Sequence, residues 1–176
     1  MSDHSPILTL TCCPLFEAMS PDELDAVFAL MQSEEFAAGS DILTEGNTYS
    51  SLWVIISGRC EVVKGACGDE ANRLAVLETG AVFGEMSFLE TAPHSASIRA
   101  MTDVDTMRLT RDAYEQLRKN SPAAADKIAR SLILILSARL RRMDEWTCGL
   151  VQKNGNEKQH AEWHEFRAKL YGGLQF

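Results

Sequence analysis

The stretch FGEMSFLETAPHSASIRA, Phe83–Ala100, places a glycine and a carboxylate ahead of a loop and a brief strand. Gly84 and Glu85 open it. A loop of small and polar residues follows, holding Pro93, His94 and Ser95. SASIRA then alternates polar and apolar positions as a half-buried strand does. A glycine at this point lets the backbone approach another group closely.

Outward from this stretch, Phe36 to Leu109 is a series of brief apolar runs punctuated by glycine: DILTEG, SLWVIISG, CEVVKG, RLAVLETG, SASIRA and DTMRL. Strands of this length with regular turn signals predict an antiparallel roll or sandwich. Gly39, Gly46, Gly58, Gly65, Gly68 and Gly80 supply the turns. Upstream, CPLFEAMSPDELDAVFALM carries Ser20, Pro21 and Glu23 as a helix start, with Leu24, Val27, Phe28 and Met31 at helical spacing. Downstream, TRDAYEQLRKNSP predicts a short helix. Ser121 and Pro122 then open a longer one through AAADKIARSLILILSARLRRM, continuous from about Pro122 to Arg142. Leu132 to Leu136 alone would pass for a strand, but the alanine-rich, capped flank assigns it to the helix. That helix is apolar on more than one face, so it needs the β core on one side and a second copy of the chain on the other. A last helix is expected in KQHAEWHEFRAKLY, with Trp163, Phe166 and Leu170 on one stripe. The expected division is a module over residues 1–143 and a helical tail over 144–176.

The 176 residues suit one compact core, and the net charge of −8 opposes broad binding to nucleic acid or to an anionic membrane. No apolar run reaches the length of a membrane span, and MSDHSPILTLTCC lacks the basic flank of a secretory signal. A cytoplasmic location is expected. Cys12, Cys13, Cys60, Cys67 and Cys148 are odd in number and form no CxxC pair, which suits reduced thiols better than a disulfide framework or a zinc site.

In their order and spacing, PLFEAMSPDEL, FAAGSDILTEGN, LWVIISGRCEVV, LETGAVFGEMSFLE and PHSASIRA resemble the cyclic nucleotide-binding domains of catabolite-activator-type regulators, kinase regulatory subunits and gated channels. The likeness runs from about Pro14 to Met143. It implies an α+β fold, an antiparallel β roll of the jelly-roll type flanked by an N-terminal helix and C-terminal helices, with Phe83–Ala100 as the phosphate-binding cassette. It implies a nucleotide site made of Phe83, Gly84, Glu85, Met86, Ser87, His94, Ser95, Ala96 and Arg139, for cAMP or cGMP. In that reading, Gly84 admits the ligand, and amides at the start of a short helix from Glu85 to Leu89 face the cyclic phosphate. Glu85 accepts from the ribose 2′-hydroxyl, Ser95 donates to a phosphate oxygen, and Ala96 keeps the wall small.

Two positions depart from the family. After Pro93 it places an arginine that grips the phosphate with two charge-assisted hydrogen bonds, and this chain has His94. Losing one such contact, worth about 1.5–3 kcal/mol, weakens binding by about tenfold to a hundredfold. Where bacterial adenine readers carry a pair of hydroxyl residues, this chain has Arg139 and Leu140. Arg139 is read either as a guanidinium laid over a purine or as an exposed residue favoured by the helix dipole.

The expected function is a stand-alone regulatory sensor that binds a cyclic mononucleotide weakly and acts as a homodimer. The alternative is a degenerate, ligand-free module that serves as a protein-interaction adaptor for a protein partner. Residues 144–176 show no recognition-helix pattern, so no nucleic acid is expected as a partner, and no membrane. No enzyme is expected: no HxH metal pair or nucleophile signature occurs, and HAEWH at His160–His164 is not the order of a zinc protease. No metal and no cofactor are expected.

Overall fold

A computed structural model describes residues 13–65 and 71–154, together with Glu162, Trp163 and Glu165. The chain divides into two compact units, residues 1–132 and 133–176, with the division inside the longest helix.

In the first unit, helix α1 (Pro21–Phe28) starts where the sequence placed it. Ser20 accepts from the Glu23 amide while the Glu23 carboxylate accepts from the Ser20 amide, so two otherwise unpaired donors of the first turn are satisfied reciprocally. Eight strands follow: β1 (Gln32–Phe36), β2 (Asp41–Leu43), β3 (Ser51–Ser57), β4 (Cys60–Gly65), β5 (Ala71–Leu77), β6 (Val82–Phe83), β7 (Ser97–Ala100) and β8 (Val104–Thr110). Helix α2 (Glu85–Glu90) lies between β6 and β7, and α3 (Arg111–Asn120) follows β8 directly. The strands form two antiparallel sheets in the orders β1-β8-β3-β6 and β2-β7-β4-β5. The expected α+β roll is therefore the observed fold.

Leu43, Trp53, Ile55, Cys60, Phe83, Ile98, Ala100 and Val104 form the core between the sheets. Strand β3 is buried from Ser51 to Ile55, so Leu52 and Val54 are covered on its other face as well. A run of consecutive apolar residues, rather than strict alternation, is what burial of both faces requires. Strand β1 was not anticipated. Its sequence, QSEEF, has four polar residues of five, and it stands at the edge of its sheet, where charged side chains are tolerated and discourage pairing with other chains.

Helix α4 runs unbroken from Pro122 to Asn154, well past the expected end at Arg142, and Leu132 to Leu136 are helical. Its first part, in the first unit, buries Ala124, Ala125, Ile128 and Leu132. Its continuation in the second unit exposes Ile133, Leu134, Leu140, Met143 and Trp146. No helix among the described residues is long and apolar enough to cross a membrane. The expected last helix, with Phe166, Leu170 and Tyr171, lies outside the described residues apart from Glu162, Trp163 and Glu165.

Candidate functional site: the Phe83–Ala100 cassette

Two left-handed residues bracket helix α2. Gly84 precedes it at φ 79°, and Thr91 ends it at φ 59°. A β-branched residue rarely adopts that conformation, so the segment holds backbone strain at Thr91. Gly84 is required for a reason the sequence did not reveal. A Cβ there would lie 2.7 Å from the Ser51 carbonyl oxygen and 2.8 Å from the Trp53 ring. The close approach is to the roll's own core, where Trp53 stacks on Phe83 with ring centroids 5.7 Å apart.

Within the cassette three polar side chains are buried together: Glu85, Ser87 and His94. His94 is 6% exposed. Its backbone ties the loop to the β2–β3 connection, since His94 N–H donates to the Asn47 carbonyl and Gly46 N–H donates to the His94 carbonyl, both at 2.9 Å. Its Nδ1 is 2.8 Å from Ser87 Oγ. Tyr49 stacks on the ring, with centroids 6.0 Å apart and planes inclined by 24°. Nε2 is buried and has no hydrogen-bond partner. Burial holds the imidazole pKa below its ordinary value, and the nearby Glu85 carboxyl pulls the other way without prevailing.

The remaining expected residues differ in exposure. Met86 and Ser95 are exposed, with Ser95 Oγ 4.0 Å from Met86 Sδ, and Ala96 is half-buried. Phe83 is a core residue. Arg139 stands exposed on α4 in the second unit.

Sequence reasoning missed Tyr49. It lies in the loop GNTYSS, and nothing local marks it as a neighbour of His94. Tyr49 also lines a pocket of about 370 Å³ with Glu34, Phe36, Leu43, Trp53 and Arg108. There, Arg108 pairs with Glu34 at 2.8 Å, and Trp53 Nε1 donates to the same carboxylate at 3.0 Å.

A chain of contacts leads from the cassette to α4. Arg111 donates to the Phe88 carbonyl near the end of α2 at 2.7 Å, and Phe88 meets the Tyr114 ring edge-on at 5.3 Å. Tyr114 in turn donates its hydroxyl to the Ala125 carbonyl at 3.2 Å. Among the described residues no group of three or more His, Cys, Asp or Glu could hold a metal, and His160 and His164 lie outside them.

The family model for the cyclic nucleotide-binding domain matches residues 33–121, and the chain belongs to this family. The cyclic AMP receptor protein of Thermus thermophilus is 31% identical over 131 residues, which are 74% of this chain and 59% of that relative. The chain therefore spans about three-fifths of the length of that curated relative. A cyclic nucleotide-binding domain from Methylobacillus flagellatus KT matches with a TM-score of 0.73 and 29% identity, over 85% of this chain and 83% of that one. The regulatory domain of Toxoplasma gondii PKA, solved with cAMP, matches with a TM-score of 0.57 and 27% identity, over 62% of this chain and 41% of that one. The chain is a cyclic nucleotide-binding-like regulatory module, of a fold that is not catalytic.

Proposed function

We propose that this module senses a cyclic mononucleotide, cAMP or cGMP, bound weakly at the Phe83–Ala100 cassette. The observation that carries this reading is the buried group of Glu85, Ser87 and His94 with one nitrogen unpaired. Buried polar atoms in folded proteins are nearly always hydrogen-bonded, so an orphan in a family-matched cassette argues for a ligand atom there. Glu85 accepts from the ribose, Ser95 and the backbone amides of Met86 and Ser87 serve the phosphate, and His94 stands in for arginine. The route through Arg111, Tyr114 and Ala125 carries occupancy to α4, by the ligand's preference for one arrangement of these contacts.

The active form is a cytosolic homodimer. Ile133, Leu136, Leu140 and Met143 recur at the alternating three- and four-residue spacing of a helix seam, which suits a second copy of the same helix. The buried free thiols of Cys13 and Cys60, each pushed up to about 11 by burial, suit a reducing compartment. The binding module comprises residues 1–143, with 144–176 as its helical tail.

Calorimetric titration with cAMP and cGMP tests the reading. Glu85→Ala should weaken binding by about tenfold or more, the worth of a charge-assisted contact. If neither nucleotide binds the native chain or the His94→Arg variant, the ligand-free adaptor is the better account.

A further inference from the structure

We infer that a ligand's anionic oxygen entering the cassette binds at His94 Nε2 and draws a proton onto the imidazole, so that nucleotide binding and protonation of His94 are one event. This rests on the cassette taking a cyclic nucleotide, as proposed above. The two nitrogens of the ring are not equivalent. Nδ1 faces Ser87, whose hydroxyl can donate to an imidazole lone pair or accept from an imidazole N–H, so that side is satisfied in either charge state. Nε2 is satisfied in neither, because it is buried without a partner. An arginine in this place would bring its own charge, whereas histidine must acquire one.

The groups around the ring decide the direction. Ser87 and Glu85 face it from α2, and Tyr49 lies on its flat side from the β2–β3 connection. Among the described residues, Glu85 is the charged group that acts on it. With Glu85 alone, desolvation prevails and the ring is neutral near pH 7. A phosphate oxygen at Nε2 adds a second negative charge and a hydrogen-bond acceptor, both of which favour imidazolium. The pKa is then lower in the free protein than in the complex. Between those two values each binding event takes up a proton, and affinity rises as pH falls. The slope can reach, but not exceed, about tenfold per pH unit for one proton. Below the free-state pKa the ring is already charged, and the dependence flattens.

The test is calorimetry on the full chain with cAMP and cGMP, from about pH 6 to 8, in two buffers of different ionisation enthalpy. The expected result is proton uptake approaching one per nucleotide, with affinity rising toward the acid end. His94→Arg should bind about tenfold more tightly with no proton uptake, and His94→Gln should bind more weakly, also without uptake. An NMR titration of the His94 ring in the native chain reads the same event without a substitution, as a rise in its pKa on adding nucleotide. Binding without proton uptake, or uptake that persists in His94→Gln, would overturn this inference and leave the proposed function standing. Absence of binding by both nucleotides to every variant would overturn both.

Discussion

The two halves of helix α4 share one backbone and have opposite surroundings. Before Leu132, the residues Ala124, Ala125, Ile128 and Leu132 are all but fully buried. Tyr114 holds the Ala125 carbonyl, and Lys127 pairs with Glu23 at 2.6 Å. After it, Ile133 is 59% exposed, Leu134 69%, Leu140 51%, Met143 60% and Trp146 66%. The apolar residues of the first half are used up by one copy of the chain. Those of the second half are exposed, and in the proposed homodimer a second copy would cover them. Helical hydrogen bonding is local, so it carries the helix across this change without a break. What differs is whether tertiary contacts reach the side chains.

The largest effect that would sharpen this contrast is expected from Leu132→Ala. It removes a fully buried side chain and should destabilise the first unit by about 2–5 kcal/mol, read as a lower denaturation midpoint. A cost near zero would mean the first half is not packed as described. Next comes Leu140→Asp combined with Ile133→Asp. Charges at a buried seam should weaken self-association by about 2 kcal/mol or more, roughly thirtyfold, in sedimentation equilibrium. Unfolding of the first unit should stay within about 0.5 kcal/mol of the native value. A native chain that is monomeric at high concentration would break the comparison, because the second half would then be exposed without a partner. The smallest effect is expected from Tyr114→Phe, which deletes one hydroxyl bond to Ala125. A loss of about 0.5–1.5 kcal/mol is expected, together with a smaller response of α4 to nucleotide. An unchanged response of Trp146 fluorescence to nucleotide in this variant would remove Tyr114 from the route between cassette and helix.

Much of the fold was legible because its determinants are local. The capping box of α1 consists of Ser20 and Glu23 acting on each other's amides, and that spacing is visible in any list of residues. The strand order of β2 through β8 could be followed from apolar runs between glycines, except for β6, whose two residues are too few for periodicity. Strand β1 was missed because its polar residues are stabilised by pairing with β8, a partner more than sixty residues away. The end of α4 was placed early because LRRMDEW changes composition, while no glycine or proline stops the helix until Gly149, which is itself accommodated.

The cassette divides in the same way. Glu85, Ser87 and His94 were identified as residue types at family spacing, and the sequence alone determined that a histidine replaces an arginine. Only the tertiary structure decided what that histidine is. Ser87 reaches its Nδ1 across seven residues, Tyr49 covers its face from another loop, and the surrounding roll excludes water from Nε2. Gly84 likewise reads as a glycine from the sequence, but its reason is the Trp53 ring, thirty-one positions away. Turns, caps and helical stripes depend on neighbours a few residues apart, so the chain alone specifies them. Burial, tautomer and proton affinity depend on which distant groups displace water around an atom, and that is settled only when the two sheets close.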